Sequence, residues 1–510
     1  MYFWCKNSAF RVFPGTRIDE TDCAVLQLHT AKGGHAYGQI LLRDVKTFTI
    51  LGADILDENL ASDVNVSVFV QGYETFHDGV PYPDRLFSMR ECKVVANYTQ
   101  GLWIEMNVSE RAKAGRFAFQ VLVHTTEGDF TAYIQLCIHE VVIPTPANGA
   151  LDHEYFYEVI NTEAYGEQWT RGSKQWWTMM EACAKAMKEL RINILNITLQ
   201  PLLSGCSKRV DATHWNFDFT FLDEFVEKFM AWGSFRRIMI QAPLHVLTGT
   251  EVFTFDENGD CINLQTRSEE GEAFVEQLLC AVQKHFAEKG WLSITMMHLV
   301  DEPHESENWL WLRSLVRKYM PEVLCCEPID EYHSALELEG ECDIYVPRVD
   351  VYDEGPEYFK RRQKTGDQLW CYTCCLPEDL WWLNKLIEQP ASYSRLLYWG
   401  CYSQDITGFL HWGFNWWWTK ESGLSPAVRH KGDGYIVYPD VETGGVQHSN
   451  RGISTIEGVE EYELLKIAER RHPEAAKALA KRMVSTFRHF CEEPEILEYT
   501  RIQLLELCDM

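Results

Sequence analysis

Two rhythms of apolar residues divide the chain. Up to about residue 143, hydrophobic and polar side chains alternate at every second position: Val64, Val66, Val68 and Val70 share one face, and Leu102, Ile104, Met106 and Val108 another. This is the period of half-buried strands. Segments 117–123 and 131–141 flank Thr125-Thr126-Glu127-Gly128-Asp129 and predict a strand pair joined by that turn. Helical spacing is nearly absent, so residues 1–145 are expected to form an accessory β-sandwich. Pro144-Thr145-Pro146-Ala147-Asn148-Gly149 then reads as a short stiff linker.

Beyond the linker, strand-like and helix-like patterns take turns. Strands are expected at 155–160, 193–198, 237–241, 292–300, 323–329, 342–348, 368–374 and 408–415, with helices at 174–190, 219–232, 269–289, 306–319, 356–364 and 390–404. Eight such strands predict a closed (β/α)8 barrel over residues 150–420. The rival, a doubly wound open sheet, lacks a glycine-rich phosphate loop after its first strand. Residues 421–510 are expected to add a glycine-rich loop, Lys431 to Pro439, and amphipathic helices packed on the barrel, with Glu460, Glu461 and Glu463 on solvated faces.

The fourth of these strands carries the candidate chemistry. It runs into Val300-Asp301-Glu302-Pro303, where proline cannot donate a ladder hydrogen bond and so leaves both acids at the strand's carboxyl end. In a barrel that end faces the active site. Retaining glycosidases separate acid and nucleophile by about 5 to 5.5 Å and inverting ones by about 6.5 to 9.5 Å, usually from different elements. An adjacent pair suits instead the substrate-assisted exception, in which one acid orients a 2-acetamido group and its neighbour protonates the leaving oxygen. The competing structural reading makes Asp301 a helix N-cap and Glu302 a partner of the helix dipole. In a conventional retaining hydrolase the nucleophile is a distant carboxylate such as Glu327 or Asp350. A non-catalytic sugar-binding protein is the third reading.

Aromatic residues gather at the later strand ends: Trp370 and Tyr372 on one face of the seventh strand, then Trp412, Asn415, Trp416, Trp417 and Trp418 at the eighth, with Trp381 and Trp382 between. Flat apolar faces and amide groups suit a sugar ring, and core packing is the alternative for each. Tyr332 and Tyr345 are candidate donors to an acetamido oxygen, and His298 lies just below the acids, where an interior hydrogen-bonded role competes with substrate contact. Composition sharpens this picture: the chain holds 18 Trp, 22 Tyr and 26 Phe among 510 residues. Its formal charge of −28 repels polyanions and argues against nucleic acid. No stretch approaches about 18 uninterrupted apolar residues, so no membrane span is expected. Seventeen cysteines read as reduced thiols rather than a disulfide framework. Cys371-x-x-Cys374-Cys375 and Cys325-Cys326 lie in strand-like runs and are read as core thiols rather than a zinc site. Met1 to Lys6 shows no secretion signal, which makes the cytoplasm the expected compartment.

Taken in order, Val300-Asp301-Glu302-Pro303, Trp370-Cys371-Tyr372-Thr373-Cys374-Cys375-Leu376-Pro377, Gly408-Phe409-Leu410-His411-Trp412-Gly413 with Asn415 and Trp416, Tyr438-Pro439 and Gly458-Val459-Glu460-Glu461-Tyr462-Glu463 resemble glycoside hydrolase family 123 over most of the chain. The chain departs from the family's pattern near Ile456 and Glu461. The resemblance implies a β-sandwich ahead of a (β/α)8 barrel, no metal or cofactor, and an exo-acting β-N-acetylgalactosaminidase acting on a glycan or glycolipid-derived oligosaccharide. It also implies Asp301 as acetamido stabiliser and Glu302 as general acid/base.

Overall fold

A computed structural model describes residues 1–56, 63–76, 78–160, 162–244, 247–377, 379–417 and 432–510. Trp418, Lys431 and the expected boundary at 420/421 lie outside the described residues. The chain forms two compact units, each assembled from separate stretches: Met1–Thr145 with Glu378–Asp405 and Asn415–Met510, and Pro146–Pro377 with Ile406–Phe414.

In the first unit two five-stranded sheets face one another. One runs Tyr2–Asn7, His35–Arg43, Thr99–Val108, Val64–Thr75, Pro81–Ser88, and the other Val25–Lys32, Gly128–Val142, Gly115–Thr125, Phe48–Leu56, Cys92–Val94. Alternation dictates the core: Ile40, Leu42, Leu102, Ile104 and Met106 from one sheet meet Val121, Val123, Ile134, Leu136 and Ile138 from the other. The predicted turn joins Gly115–Thr125 to Gly128–Val142, with Gly128 paired to Thr125. These sheets are the sandwich the alternation predicts.

The same unit contains the C-terminal helices, and here the expected polarity of Asn450–Glu469 is reversed. Glu460, Glu461 and Glu463 are buried instead of facing solvent, because the helix packs closely on Ser392–Ser403. A side chain at Gly458 would begin 2.6 Å from the Arg395 carbonyl oxygen. Glu460 and Glu461 are matched by cations: the Arg395 guanidinium bonds Glu461 along with Glu457 and Glu498, Arg501 pairs with Glu461 at 3.2 Å, and His35 meets Glu460 at 2.7 Å. Arg395 holds the Glu461 carboxyl below its ordinary range despite burial.

The second unit holds eight parallel strands in the order Asp152–Tyr155, Gly408–His411, Gln368–Thr373, Ile344–Pro347, Leu324–Ile329, Thr295–His298, Arg237–Gln241, Ile194–Thr198. That is the order of a barrel whose strands run one to eight around the ring. It closes through Asn193, whose N–H donates to the His153 carbonyl at 3.1 Å while its side-chain oxygen accepts the His153 N–H at 2.9 Å. The third crossover is typical of how sequence sets the helices. Ser268 caps Glu269–Lys289 by accepting the Gly271 N–H, Glu269, Glu270 and Glu272 sit in its first turn, and Gly290 ends it at φ 73°. Inside the ring Ile194, Met239, Met296, Cys326, Ile344, Val346, Trp370, Tyr372 and Leu410 form the core.

Candidate active site

The fourth barrel strand, Thr295–His298, ends two residues short of the acid pair. His298 is the last inward-facing strand residue. Its Nδ1 bonds the Cys326 carbonyl at 2.8 Å and its Nε2 meets Glu154 Oε1 at 3.3 Å, an oxygen that also accepts from Asn196 Nδ2 at 2.7 Å. Burial alone lowers an imidazole's pKa, but Glu154, Glu327 and Asp301 outweigh it and push His298 up to about 9. At neutral pH this is a buried imidazolium beneath the acids. With both ring nitrogens occupied it has no edge for a sugar, so the expected substrate contact is corrected to an electrostatic role.

Beyond His298 the backbone is held from two sides. Glu327 Oε2 accepts the Leu299 N–H at 3.0 Å and the Trp309 indole N–H at 2.7 Å. From the loop after the third strand, the Leu247 N–H donates to the Asp301 carbonyl at 2.9 Å and the Leu247 carbonyl accepts the His304 N–H at 2.9 Å. Clamped this way, Glu302 adopts φ 52°, a left-handed conformation that costs a non-glycine residue about 1–3 kcal/mol and is found where surrounding contacts enforce it. The Asp301 peptide bonded to Leu247 lies ahead of the helix Ser306–Tyr319, whose N-cap is Glu305. Asp301 is therefore not the cap that the structural reading proposed.

The two carboxyls occupy different fields. Desolvation raises Asp301 to about 6, with Asp330 and Glu154 adding to it and the His298 cation opposing. Desolvation also raises Glu302, with the charge of Asp301 next, to about 7; the Tyr372 hydroxyl, which donates to Glu302 Oε1, and Arg348 oppose the rise. Two neighbouring groups thus divide into a carboxylate that ionises first and a carboxyl that keeps its proton to neutrality. Asp330 is engaged by His304 Nε2 at 3.0 Å, and Arg348 is paired with Asp350 at 2.7 and 3.1 Å.

Of the remaining expected residues, the structure brings Tyr372 to the acid pair, and Trp412 stands half-buried against the same interior cluster. Tyr345 points outward, since Ile344 and Val346 on either side face the barrel interior. Its hydroxyl donates to the Leu338 carbonyl at 2.7 Å and accepts the Gly340 N–H at 3.2 Å. Tyr332 opens the helix Tyr332–Glu337 and packs edge-on against Tyr358 and Phe359. Trp370 is fully buried, its ring filling the space left by Gly408, where a side chain would begin 2.3 Å from it. These three are corrected to packing residues. Asn415 and Trp416 belong to the first unit, where Asn415 bridges to Tyr435 and the Trp416 N–H donates to the Gly434 carbonyl at 2.9 Å. Trp417 is buried there and Trp381 is exposed.

Glu327 is removed as a nucleophile: it lies within the fifth strand, buried at 0 % exposure and bonded to backbone and indole. The residues missed from sequence are Glu154, Asn196, Asp330 and Arg348. A signal existed for two of them. Asp330 and Arg348 follow the fifth and sixth strands directly, the position that marked Asp301. Glu154 precedes a first strand expected to begin at 155, whereas the strand is Asp152–Tyr155.

The chain matches the description "Glycoside hydrolase 123, catalytic domain" over residues 158–468. It belongs to glycoside hydrolase family 123. Among solved structures it is similar to a family 123 glycoside hydrolase from Clostridium perfringens, with a TM-score of 0.74 and 14% identity, covering 100% of this chain and 97% of that one. More distant similarities are to the Parabacteroides merdae β-glucuronidase (TM-score 0.35, 10% identity, 86% of this chain and 53% of that one) and the Thermotoga petrophila endo-β-1,4-mannanase (TM-score 0.38, 10% identity, 63% and 78%). No curated protein matches the chain. This family 123 glycoside hydrolase has no described helix long and apolar enough to cross a membrane.

Proposed function

We propose that this glycoside hydrolase releases β-linked N-acetylgalactosamine from the non-reducing end of a glycan by a retaining, substrate-assisted reaction. The observation that carries the reading is the adjacent pair with divided protonation: Asp301 raised to about 6 and Glu302 to about 7 at the end of one strand. In the first step Glu302 gives its proton to the glycosidic oxygen while the substrate's acetamido oxygen attacks the anomeric carbon. The C1–O bond to the leaving group breaks, and the departing oxygen keeps the proton. Asp301 accepts a hydrogen bond from the acetamido N–H and balances the positive charge of the resulting oxazolinium ion. In the second step Glu302, now a carboxylate, takes a proton from water as the water oxygen attacks C1 and reopens the ring.

The His298 cation supports the role of Asp301, because it favours ionisation of a carboxyl that burial would otherwise keep neutral. Tyr372 fixes the rotamer of Glu302 through its hydroxyl, and Trp412 offers a flat apolar surface for the ring. The C. perfringens relative is described as hydrolysing glycolipid glycans, and we extend that substrate class to this chain. The test compares aryl β-glycosides of N-acetylgalactosamine, N-acetylglucosamine and galactose. Turnover of the first alone is expected; efficient turnover of the galactoside would replace this reading with a conventional retaining mechanism, and binding without turnover of any would make the protein a lectin.

A further inference from the structure

On the face of the second sandwich sheet that is turned from its hydrophobic core, three metal-ligating side chains converge. Val25–Lys32 and Gly128–Val142 form the parallel pair of that sheet, with Cys137 opposite His29 in register. Leu26, Leu28, Ile134, Leu136 and Ile138 point into the hydrophobic core, so the alternation turns His29, Cys137 and His139 to the other face. Each offers one ligand atom, and the three atoms lie within 4.8 Å of one another. His29 Nδ1 and His139 Nε2 face each other at 3.0 Å.

The next layer completes the pattern. His139 Nδ1 is held at 2.8 Å by Asp509 Oδ2, and Asp509 is fixed in turn by accepting the Val141 N–H at 3.0 Å. A carboxylate on the far nitrogen fixes the tautomer that presents Nε2 as a lone pair, the arrangement that supports histidine ligands at zinc. Two nitrogens bound at about 2.05 Å in a tetrahedral site stand roughly 3.3 Å apart, so the pair needs to open by only a few tenths of an ångström. Beside the cluster is a groove of about 290 Å³ lined by Gln27, His29, Arg116, Gln135 and Cys137, which leaves room for a fourth ligand. Arg116 in that groove favours an anion or hydroxide in the fourth position over a second cation.

We propose that His29, Cys137 and His139 bind one borderline-soft divalent ion of the zinc type, with Asp509 as the outer partner of His139. Two imidazoles and a thiolate suit zinc or its neighbours and not magnesium or calcium, which take oxygen ligands. On binding, Cys137 and His29 each give up the proton on the ligating atom, the former to water and the latter by transfer to its other ring nitrogen. The ion then clasps the two parallel strands, and through Asp509 it ties the helix Pro494–Asp509 to them.

The test titrates Co²⁺ alone, then Zn²⁺ alone, into the full chain after chelator treatment under a thiol-free reductant. One equivalent of Co²⁺ is expected to give a thiolate-to-cobalt charge-transfer absorption that Zn²⁺ bleaches. Cys137→Ser is expected to abolish that absorption, and His29→Gln, at a half-exposed position, to abolish tight binding with the far-ultraviolet dichroism unchanged. Asp509→Asn should weaken binding about 10- to 100-fold without abolishing it. Absence of the absorption at one equivalent, or its persistence in His29→Gln, would overturn the proposal even if Cys137→Ser fails to fold.

Discussion

At the level of single residues, the proposed chemistry turns on how one backbone step separates two acids. Asp301 and Glu302 share a desolvated pocket, yet the His298 cation acts on the first and the Tyr372 hydroxyl on the second. The proposed reaction needs the pair with one proton, on Glu302. The kcat/KM profile is therefore expected to be bell-shaped, falling below about 6 as Asp301 protonates and above about 7 as Glu302 ionises. Glu302→Gln should lower kcat about 10²- to 10⁴-fold on a disaccharide and much less on an activated aryl glycoside, where it should also erase the alkaline limb. Steady-state rates across pH on both substrates check this. Tyr372 donates to the ionised form of Glu302 and so lowers its pKa; Tyr372→Phe removes that preference. Its alkaline limb should move to higher pH, whereas an unmoved limb would assign Tyr372 to packing. The acids were legible in the sequence because proline marks the strand end. Tyr345 and Trp370 were misplaced because a one-residue choice of strand face, or a glycine on the neighbouring strand, decides between pocket and core.

Among elements, the strand that delivers the acids is braced by a buried carboxyl outside the chemistry. Desolvation pushes Glu327 up to about 8, against the lowering effects of His298 and of the Trp309 and Leu299 donors. A carboxyl whose folded pKa is raised above its unfolded value binds more protons in the native state. Its contribution to stability is thus complete below the unfolded pKa near 4.5 and is lost as pH rises through about 8. Glu327→Gln keeps an oxygen acceptor for both donors and cannot ionise. Urea unfolding between pH 5 and 8 should show a shallower loss of stability in the variant than in the parent; equal slopes would mean that Glu327 is not the titrating group. Periodicity located most barrel strands to within two residues at each end, since each is a buried apolar run bounded by turns. It misread Asn450–Glu469, because a helix whose acids are matched by Arg395 and Arg501 has the same charge pattern as one facing water.

Over the whole molecule, the order of sandwich then barrel was readable from the change of period near residue 145, and the number of barrel strands from their count. The grouping of 378–405 and 415–510 with the sandwich strands was not. Ser392–Ser403 has the length and spacing of a barrel crossover helix, and only tertiary packing through Gly458 and the Arg395 carboxylates joins it to the first unit. The His29, Cys137 and His139 cluster was equally invisible, because parallel pairing of distant strands creates it. In the proposed reaction the attacking atom comes from the substrate's own acetamido group. That origin is tested most directly by aryl β-N-acetylgalactosaminides whose acetamido methyl carries none, one, two or three fluorines. If the acetamido oxygen is the nucleophile, kcat/KM falls steeply with each added fluorine, in step with the loss of carbonyl basicity; a rate independent of fluorination would mean that the acetamido oxygen does not attack.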